Sequence, residues 1–255
     1  METPEILQAL ERYTRTFPRE ALEEAMQRPE EMTPELLCIL EYTVANAAAL
    51  AQEESDNPYF AYMYAMFLLA QFRETRAYPL VVQFARLPED VLRGLVSDFI
   101  TEDLACVLAS VCGGDTTLIK ALIEDPNVEE YVRSSAVRSL LYLVAAGDKS
   151  RDEVMSYFKE LFDGRLERSF SPAWNALASC ATDLYPEEVY DRIIAAYKDG
   201  LVEPFFMRIE EVDEAMALDR REVLERLPNG APVYIQDVVE EMEWWACIRV
   251  RLRAV

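Results

Sequence analysis

Acidic residues are the most frequent ionisable residues in this sequence, and near its C-terminus they recur at helical spacing. The two sets that would each share one helix face are Glu210, Asp213 and Glu214, and Asp237, Glu240 and Glu241. Paired carboxylates can act as general acid and base, or bind Mg²⁺ or Ca²⁺ through oxygen. Because neither set has the spacing of a calcium-binding loop, the sequence favours a solvated acidic face.

Histidine is absent from all 255 residues, which excludes several kinds of reaction centre. There can be no Ser-His-Asp or Cys-His nucleophile, no histidine-ligated zinc and no imidazole proton shuttle. The five cysteines form no C-x-x-C pair, and Cys106 and Cys112 would lie about 240° apart around a helix. We interpret them as small apolar residues of a reduced protein. The sequence therefore predicts neither a cofactor nor a metal site.

The excess of acidic residues restricts the kinds of molecule that this protein is expected to bind. The chain has 25 basic and 47 acidic residues, for a net charge of −22. Such a field disfavours nucleic acid and anionic membrane surfaces. The longest apolar run, residues 59–70, falls short of the ~18 residues that suggest a membrane span. The N-terminal segment METPEILQAL lacks the basic start of a signal peptide. We therefore expect a cytoplasmic protein that binds neither membranes nor nucleic acid.

Apolar residues recur at i, i+3, i+4 and i+7 along most of the chain, for example at Leu104, Val107, Leu108 and Val111. This period predicts amphipathic helices and an all-α fold. The clearest predicted helices span 34–52, 59–73, 78–87, 101–112, 116–124, 129–146, 151–162, 172–184, 187–199 and 236–247. A capping box at residues 150–153 and glycines at helix ends support these boundaries.

The predicted helices come in pairs, at 59–87, 101–124, 129–162 and 172–199, whose first helices start 42, 28 and 43 residues apart. Residues 125–140 resemble the HEAT signature of a D-P turn followed by V-R-x-x-A, in which the Asp and the Arg commonly tie successive repeats together. We therefore expect a HEAT-like α-α superhelix, a right-handed solenoid of antiparallel helix pairs, over residues 1–200. Residues 201–255 are expected to cap this stack with acidic helices and a short basic tail containing Arg249, Arg251 and Arg253, within one continuous domain.

Several longer stretches resemble one bacterial family. They are residues 65–80 (AMFLLAQFRETRAYPL), 101–115 (TEDLACVLASVCGGD), 131–148 (YVRSSAVRSLLYLVAAGD), 181–188 (ATDLYPEE) and 240–247 (EEMEWWAC). In order and spacing they are similar to domain-of-unknown-function family 1186, over roughly residues 5–247. The resemblance implies a soluble helical-repeat protein with no established activity or catalytic residue. Some members carry a C-terminal SEC-C zinc motif, which residues up to Val255 do not contain.

One basic residue lies off the apolar stripe in the second helix of each predicted pair: Arg86, Lys120, Lys159 and Arg192. Second helices line the concave side of HEAT-like stacks, so these four side chains would form a positive strip suited to an acidic peptide or helix. The alternative is a scatter of intrahelical ion pairs, such as Lys120 with Glu124, each worth tenths of a kcal/mol.

Two functions are compatible with these patterns. The first is a non-enzymatic interaction scaffold or adaptor that binds another protein along the solenoid groove, because extended helical surfaces bind by area and shape without leaving a motif. The alternative is a hydrolase or lyase built on carboxylates and arginines, which Mg²⁺ could assist. That enzyme requires two carboxylates and an arginine converging in a closed apolar pocket, with a raised carboxylate pKa. The sequence favours the scaffold and predicts no catalytic residue.

Overall fold

The structure is a computed structural model that describes residues 1–14, 16–96, 98–227 and 234–245. These residues form sixteen α-helices and no β-strand, which confirms the all-α fold class. The helices are α1 (Thr3–Glu11), α2 (Arg19–Met26), α3 (Pro29–Leu50), α4 (Ala61–Gln71), α5 (Tyr78–Ala85), α6 (Glu89–Leu95), α7 (Phe99–Glu102), α8 (Leu104–Val111), α9 (Thr117–Glu124), α10 (Glu130–Ala145), α11 (Arg151–Glu160), α12 (Pro172–Asp183), α13 (Tyr190–Lys198), α14 (Ile209–Ala217), α15 (Arg220–Glu225) and α16 (Val238–Met242). A 3₁₀ turn (Thr75–Ala77) precedes α5, and a π-helical turn (Leu161–Arg165) follows α11.

The chain divides into two compact units. Unit 1 comprises Met1–Ser97 together with Tyr234–Val255, and it contains α1 to α6 and α16. Unit 2 comprises Asp98–Val233 and contains α7 to α15. The HEAT-like solenoid and the division near residue 200 stay predictions. The predicted basic tail at residues 248–255 lies outside the described residues.

Unit 1 is built around α4, in which every residue from Ala61 to Ala70 is buried. A helix that is apolar on all sides can be stable only when neighbours surround it, and α1, α3 and α16 pack against it. Gly94 of α6 makes a close backbone approach to the end of α3. A Cβ added there would lie 2.7 Å from the carbonyl oxygen of Ala51 and 2.8 Å from its Cβ. Glycine at this position therefore permits the two helices to touch.

Unit 2 is centred on α10, which packs against both α8 and α12. Near the middle of α10, the Ser135 hydroxyl donates to the carbonyl of Ile100 at 2.5 Å, and Arg138 Nη1 donates to that of Thr101 at 3.1 Å. Arg133, nearer the start of α10, reaches Glu167 in the segment before α12. The three helices therefore lie side by side in the order α8, α10, α12.

Helix boundaries differ from the prediction where tertiary contacts decide them. The predicted single helix over 101–112 is wrong, because the chain breaks at Asp103 between α7 and α8. The hydrogen bonds from α10 to carbonyls at the end of α7 fix this break. The predicted helix start at Pro34 is also wrong, since α3 already begins at Pro29. In contrast, the predicted cap at Ser150 is confirmed, because its hydroxyl accepts from the Glu153 amide at 3.2 Å.

Candidate functional site

The predicted basic strip maps onto both units: Arg86 directly follows α5 in unit 1, and the other three residues lie in unit 2. Lys159 and Arg192 share one carboxylate, that of Asp163. Lys159 Nζ lies 3.0 Å from Oδ2, and Arg192 Nε lies 2.6 Å from Oδ1. Hydrogen bonds from Arg192 and Lys159 lower the pKa of Asp163 to about 2. Any acidic ligand at these two bases competes with this internal carboxylate.

Lys120 does not form the predicted ion pair with Glu124 within the part of the chain that the structure describes. Its ammonium lies 4.5 Å from the centre of the Tyr157 ring, a cation–π contact. Glu124 is bound instead by the Tyr157 hydroxyl at 2.9 Å and by Arg165 at 3.3 Å. The structure thus joins Lys159 with Arg192 and places Lys120 in a separate cluster, and the continuous strip stays a prediction.

Arg133 is buried, and all its interactions with the described residues are internal. Its Nε donates to the carbonyl of Ile123 at 3.0 Å, and its two Nη atoms bind Glu167 at 2.5 and 2.6 Å. These hydrogen bonds lower the pKa of Glu167. Since Arg133 belongs to the V-R-x-x-A segment, the HEAT resemblance implied such a tie. Its role is to join successive helices, because the side chain is buried and all three guanidinium nitrogens donate within the fold.

Arg151, which the sequence did not single out, makes a second buried tie. Its Nε donates to the carbonyl of Leu184 at 2.8 Å, and its Nη2 donates to Glu188 Oε2 at 2.6 Å. It also donates to the carbonyl of Tyr185, a residue held in the left-handed region at φ 65°. The hydrogen bond from Arg151 lowers the pKa of Glu188. Like Arg133, this arginine holds the fold together.

A pocket of about 380 Å³ opens among α12, α14 and α15 in unit 2. We call it the Asp183 pocket. It is lined by Thr182, Asp183, Glu211, Glu214, Ala215, Leu218, Val223, Arg226 and Leu227. Apolar side chains form much of its wall, and four charged groups converge on it. Sequence reasoning missed this site, because the lining residues come from three separate helices.

The carboxyl of Asp183 is the most perturbed acid of the pocket. It ends α12 and lines the pocket, and the residue is exposed. Desolvation of the carboxyl by the surrounding pocket wall, reinforced by the nearby charge of Glu211, raises its pKa to about 6. Among the described residues no hydrogen-bond donor or cation pairs with it. Asp183 is therefore a carboxylate whose charge is not offset.

The other charged groups of the pocket are partly engaged. Glu211 accepts from the Arg208 amide at 3.0 Å, and Arg226 Nη2 lies 2.8 Å from Glu222. Glu214 lines the pocket, whereas Asp213 of the same predicted acidic face accepts from Tyr190 elsewhere. The pocket thus brings together carboxylates and an arginine, as the enzyme alternative requires, but it is open to solvent. Within the described ranges no three His, Cys, Asp or Glu residues are placed to hold a metal ion.

The raised pKa of Asp183 predicts a pH dependence of stability. The folded state keeps this proton up to about pH 6, whereas the unfolded chain releases it near pH ~4. Stability from this group is therefore lost as pH rises from about 4 to 6. At pH 7 we expect Asp183→Asn to raise the free energy of unfolding by about 1 kcal/mol, after allowance for solvent screening of an exposed carboxyl.

Urea unfolding of the wild type and the variant at several pH values between 4 and 7 tests this expectation. Glu54→Gln, which removes an exposed acid between α3 and α4, is the charge-matched control and should follow the wild-type curve. Parallel stability curves for Asp183→Asn and the wild type would contradict the prediction.

Three phenylalanine residues of unit 2 have exposed rings, Phe170, Phe205 and Phe206, and we refer to them together as the aromatic surface. Phe205 is fully exposed, and the other two rings are about half exposed. The loops that carry them are fastened together, because Arg168 pairs with Asp199 and the Glu203 amide donates to Asn175 Oδ1 at 2.9 Å. Apolar rings on fastened loops are available for contact without first being ordered.

Across the described residues the protein is all-α, with internal arginine ties, an open acidic pocket and exposed aromatic side chains. A family model described as "Protein of unknown function (DUF1186)" matches residues 1–249. The chain belongs to this family.

Two chlamydial proteins are similar to this chain. One from Chlamydia trachomatis serovar D is 38% identical over 245 residues, covering 96% of both chains. One from Chlamydia muridarum is 38% identical over 245 residues, covering 96% of this chain and 97% of its own. Both are described as uncharacterized. No solved structure matches this chain. Among the described helices, none is long and apolar enough to cross a bilayer.

Proposed function

We propose that the protein is a non-enzymatic interaction scaffold or adaptor that binds another protein through the aromatic surface. The observation that carries this proposal is the fully exposed ring of Phe205 beside the half-exposed ring of Phe206. Large aromatic side chains dominate binding energy at protein interfaces when a partner desolvates them. Adjacent rings on a fastened loop provide such an anchor at low entropic cost.

Charge indicates the kind of partner. Glu203 precedes the exposed rings along the chain, Arg208 follows them in an ion pair with Glu211, and the whole protein has a net charge of −22. A surface that combines an apolar groove with a rim of lysine and arginine would complement both features. The predicted basic strip, which includes Lys159 and Arg192, would offer a second surface, for an acidic peptide. We favour the aromatic surface, because an acidic peptide would first have to displace Asp163.

Affinity capture from the native cytosol followed by mass spectrometry tests the proposal. The wild-type chain should retain a stoichiometric partner, and the double variant Phe205→Ser with Phe206→Ser should weaken its binding at least about tenfold, since two anchor rings are lost. The matched control is Tyr42→Ser, which removes a half-exposed ring of unit 1. It should leave capture unchanged.

Two outcomes would count against this surface. Full retention of the partner by the double variant, with an unchanged melting temperature, excludes the aromatic surface as the anchor. Loss of the partner only after charge reversal of Lys120 and Lys159 assigns binding to the basic strip instead. Retention after that reversal removes the strip.

A further inference from the structure

We propose that the Asp183 pocket binds an organic cation, a primary ammonium or guanidinium group attached to an aliphatic stem. This site does not depend on the aromatic surface or on the proposed scaffold function. The proposal combines three properties of the pocket: an unpaired carboxylate, a second carboxylate at the wall and an apolar lining. Each of them matches a different part of such a ligand.

The unpaired carboxylate is the first property. Asp183 is the last residue of α12, where the carbonyl groups at the helix end already give a negative potential. The charge of nearby Glu211 and partial desolvation by the pocket wall also act on this exposed residue. All three effects disfavour a negative charge here. No described residue offsets these effects, so a bound cation would lower the electrostatic free energy of the ionised Asp183 carboxyl.

The one cation among the described lining residues does not offset the charge of Asp183. The Arg226 guanidinium binds Glu222, at 2.8 Å from Nη2 to Oε1, and makes no ion pair with Asp183. Glu214 also lines the pocket and has no ion pair in the described part of the chain. The pocket therefore presents two carboxylates that lack a cationic partner, and these can receive the donors of one ammonium or guanidinium head.

The shape and lining of the pocket fit the rest of the ligand. A volume of about 380 Å³ is ample for the side chain of a lysine or arginine, or for a small free amine. Leu218, Val223 and Leu227 provide an apolar wall along which methylene groups can pack, as the stems of lysine and arginine do on protein surfaces. A hydrated metal ion would leave this wall unused. The apolar wall and the carboxylates together therefore favour a ligand with an aliphatic stem and a cationic end.

Isothermal titration of the full chain at low ionic strength tests the site, with butylammonium as the probe. We expect saturable binding that Asp183→Asn weakens about tenfold, because a charge-assisted hydrogen bond is lost. Glu54→Gln should bind as the wild type does, since it removes the same charge from an exposed position outside the pocket. A cooperative melting transition at or above the wild-type temperature shows that each variant is folded.

A second probe, lysine blocked at both backbone ends, identifies the source of the cation. Binding as tight as that of butylammonium assigns the pocket to a side chain of another polypeptide, and binding of butylammonium alone assigns it to a free amine. Both results support the proposal. Absence of saturable binding, equal affinity of Asp183→Asn and the wild type, or displacement of the amine by Mg²⁺ at similar concentration overturns it.

Discussion

Replacing Arg151 by methionine is expected to lower the free energy of unfolding by about 3 kcal/mol, because it breaks a buried, fully bonded charge. Methionine preserves much of the apolar contact but supplies no donor. The carbonyls of Leu184 and Tyr185 then lose their partner inside the fold, and Glu188 loses the guanidinium that lowers its pKa. Unsatisfied buried acceptors account for much of the expected loss.

Chemical denaturation of Arg151→Met against the wild type measures this effect. The control is Arg221→Met, which removes an exposed intrahelical pair with Glu225 and should cost less than about 1 kcal/mol. In the double variant with Glu188→Gln, the two losses should not add, because both remove the same tie. A loss no larger than that of the control would show that the Arg151 tie contributes little to stability.

Replacing Trp174 by alanine is expected to lower the free energy of unfolding by about 3–5 kcal/mol, the range for removing a buried aromatic side chain. Trp174 is the largest fully buried side chain of the described residues. Its ring packs 5.8 Å from that of Phe162, and the Arg168 guanidinium lies 5.5 Å from its centre. Its Nε1 donates to the carbonyl of Glu167 at 3.0 Å. The substitution therefore also loosens the segment that holds Arg133.

The same denaturation experiment separates these contributions. Trp174→Phe retains a ring and loses the N–H donor, so it should destabilise by less than the alanine variant. Trp244→Ala removes a half-exposed ring and is expected to stay within about 0.5 kcal/mol of the wild type. Equal losses for the buried and exposed tryptophans would contradict the prediction.

Sequence patterns predicted helix bounds best where the residues of the helix itself determine them. The helices α10 and α12 begin and end within one residue of their predicted bounds, because apolar periodicity and end signals agree there. The break at Asp103 was not predictable, since it depends on hydrogen bonds from side chains more than 30 residues away. The early start of α3 shows that a proline can lie inside a helix whose first turn precedes it.

The candidate site was less accessible to sequence reasoning, because its residues are distant along the chain. Asp183 meets Glu211 and Arg226 only after α12, α14 and α15 have packed. Glu214 and Asp213 were predicted to share one acidic face. In the packed protein Glu214 lines the pocket, whereas Asp213 accepts a hydrogen bond from Tyr190. Spacing within one helix identifies which side chains share a face, and it gives no information on the neighbour that this face will meet.

The backbone contact between Gly94 and Ala51 limits how this family can diverge. Shrinking residue 51 to glycine would remove only the Cβ contact, since the carbonyl oxygen at 2.7 Å belongs to every amino acid. No compensating mutation at position 51 can therefore make room for alanine at 94. Homologues that carry a side chain there must have separated the two helices, so the residue at this position reports whether a relative retains the same helix spacing.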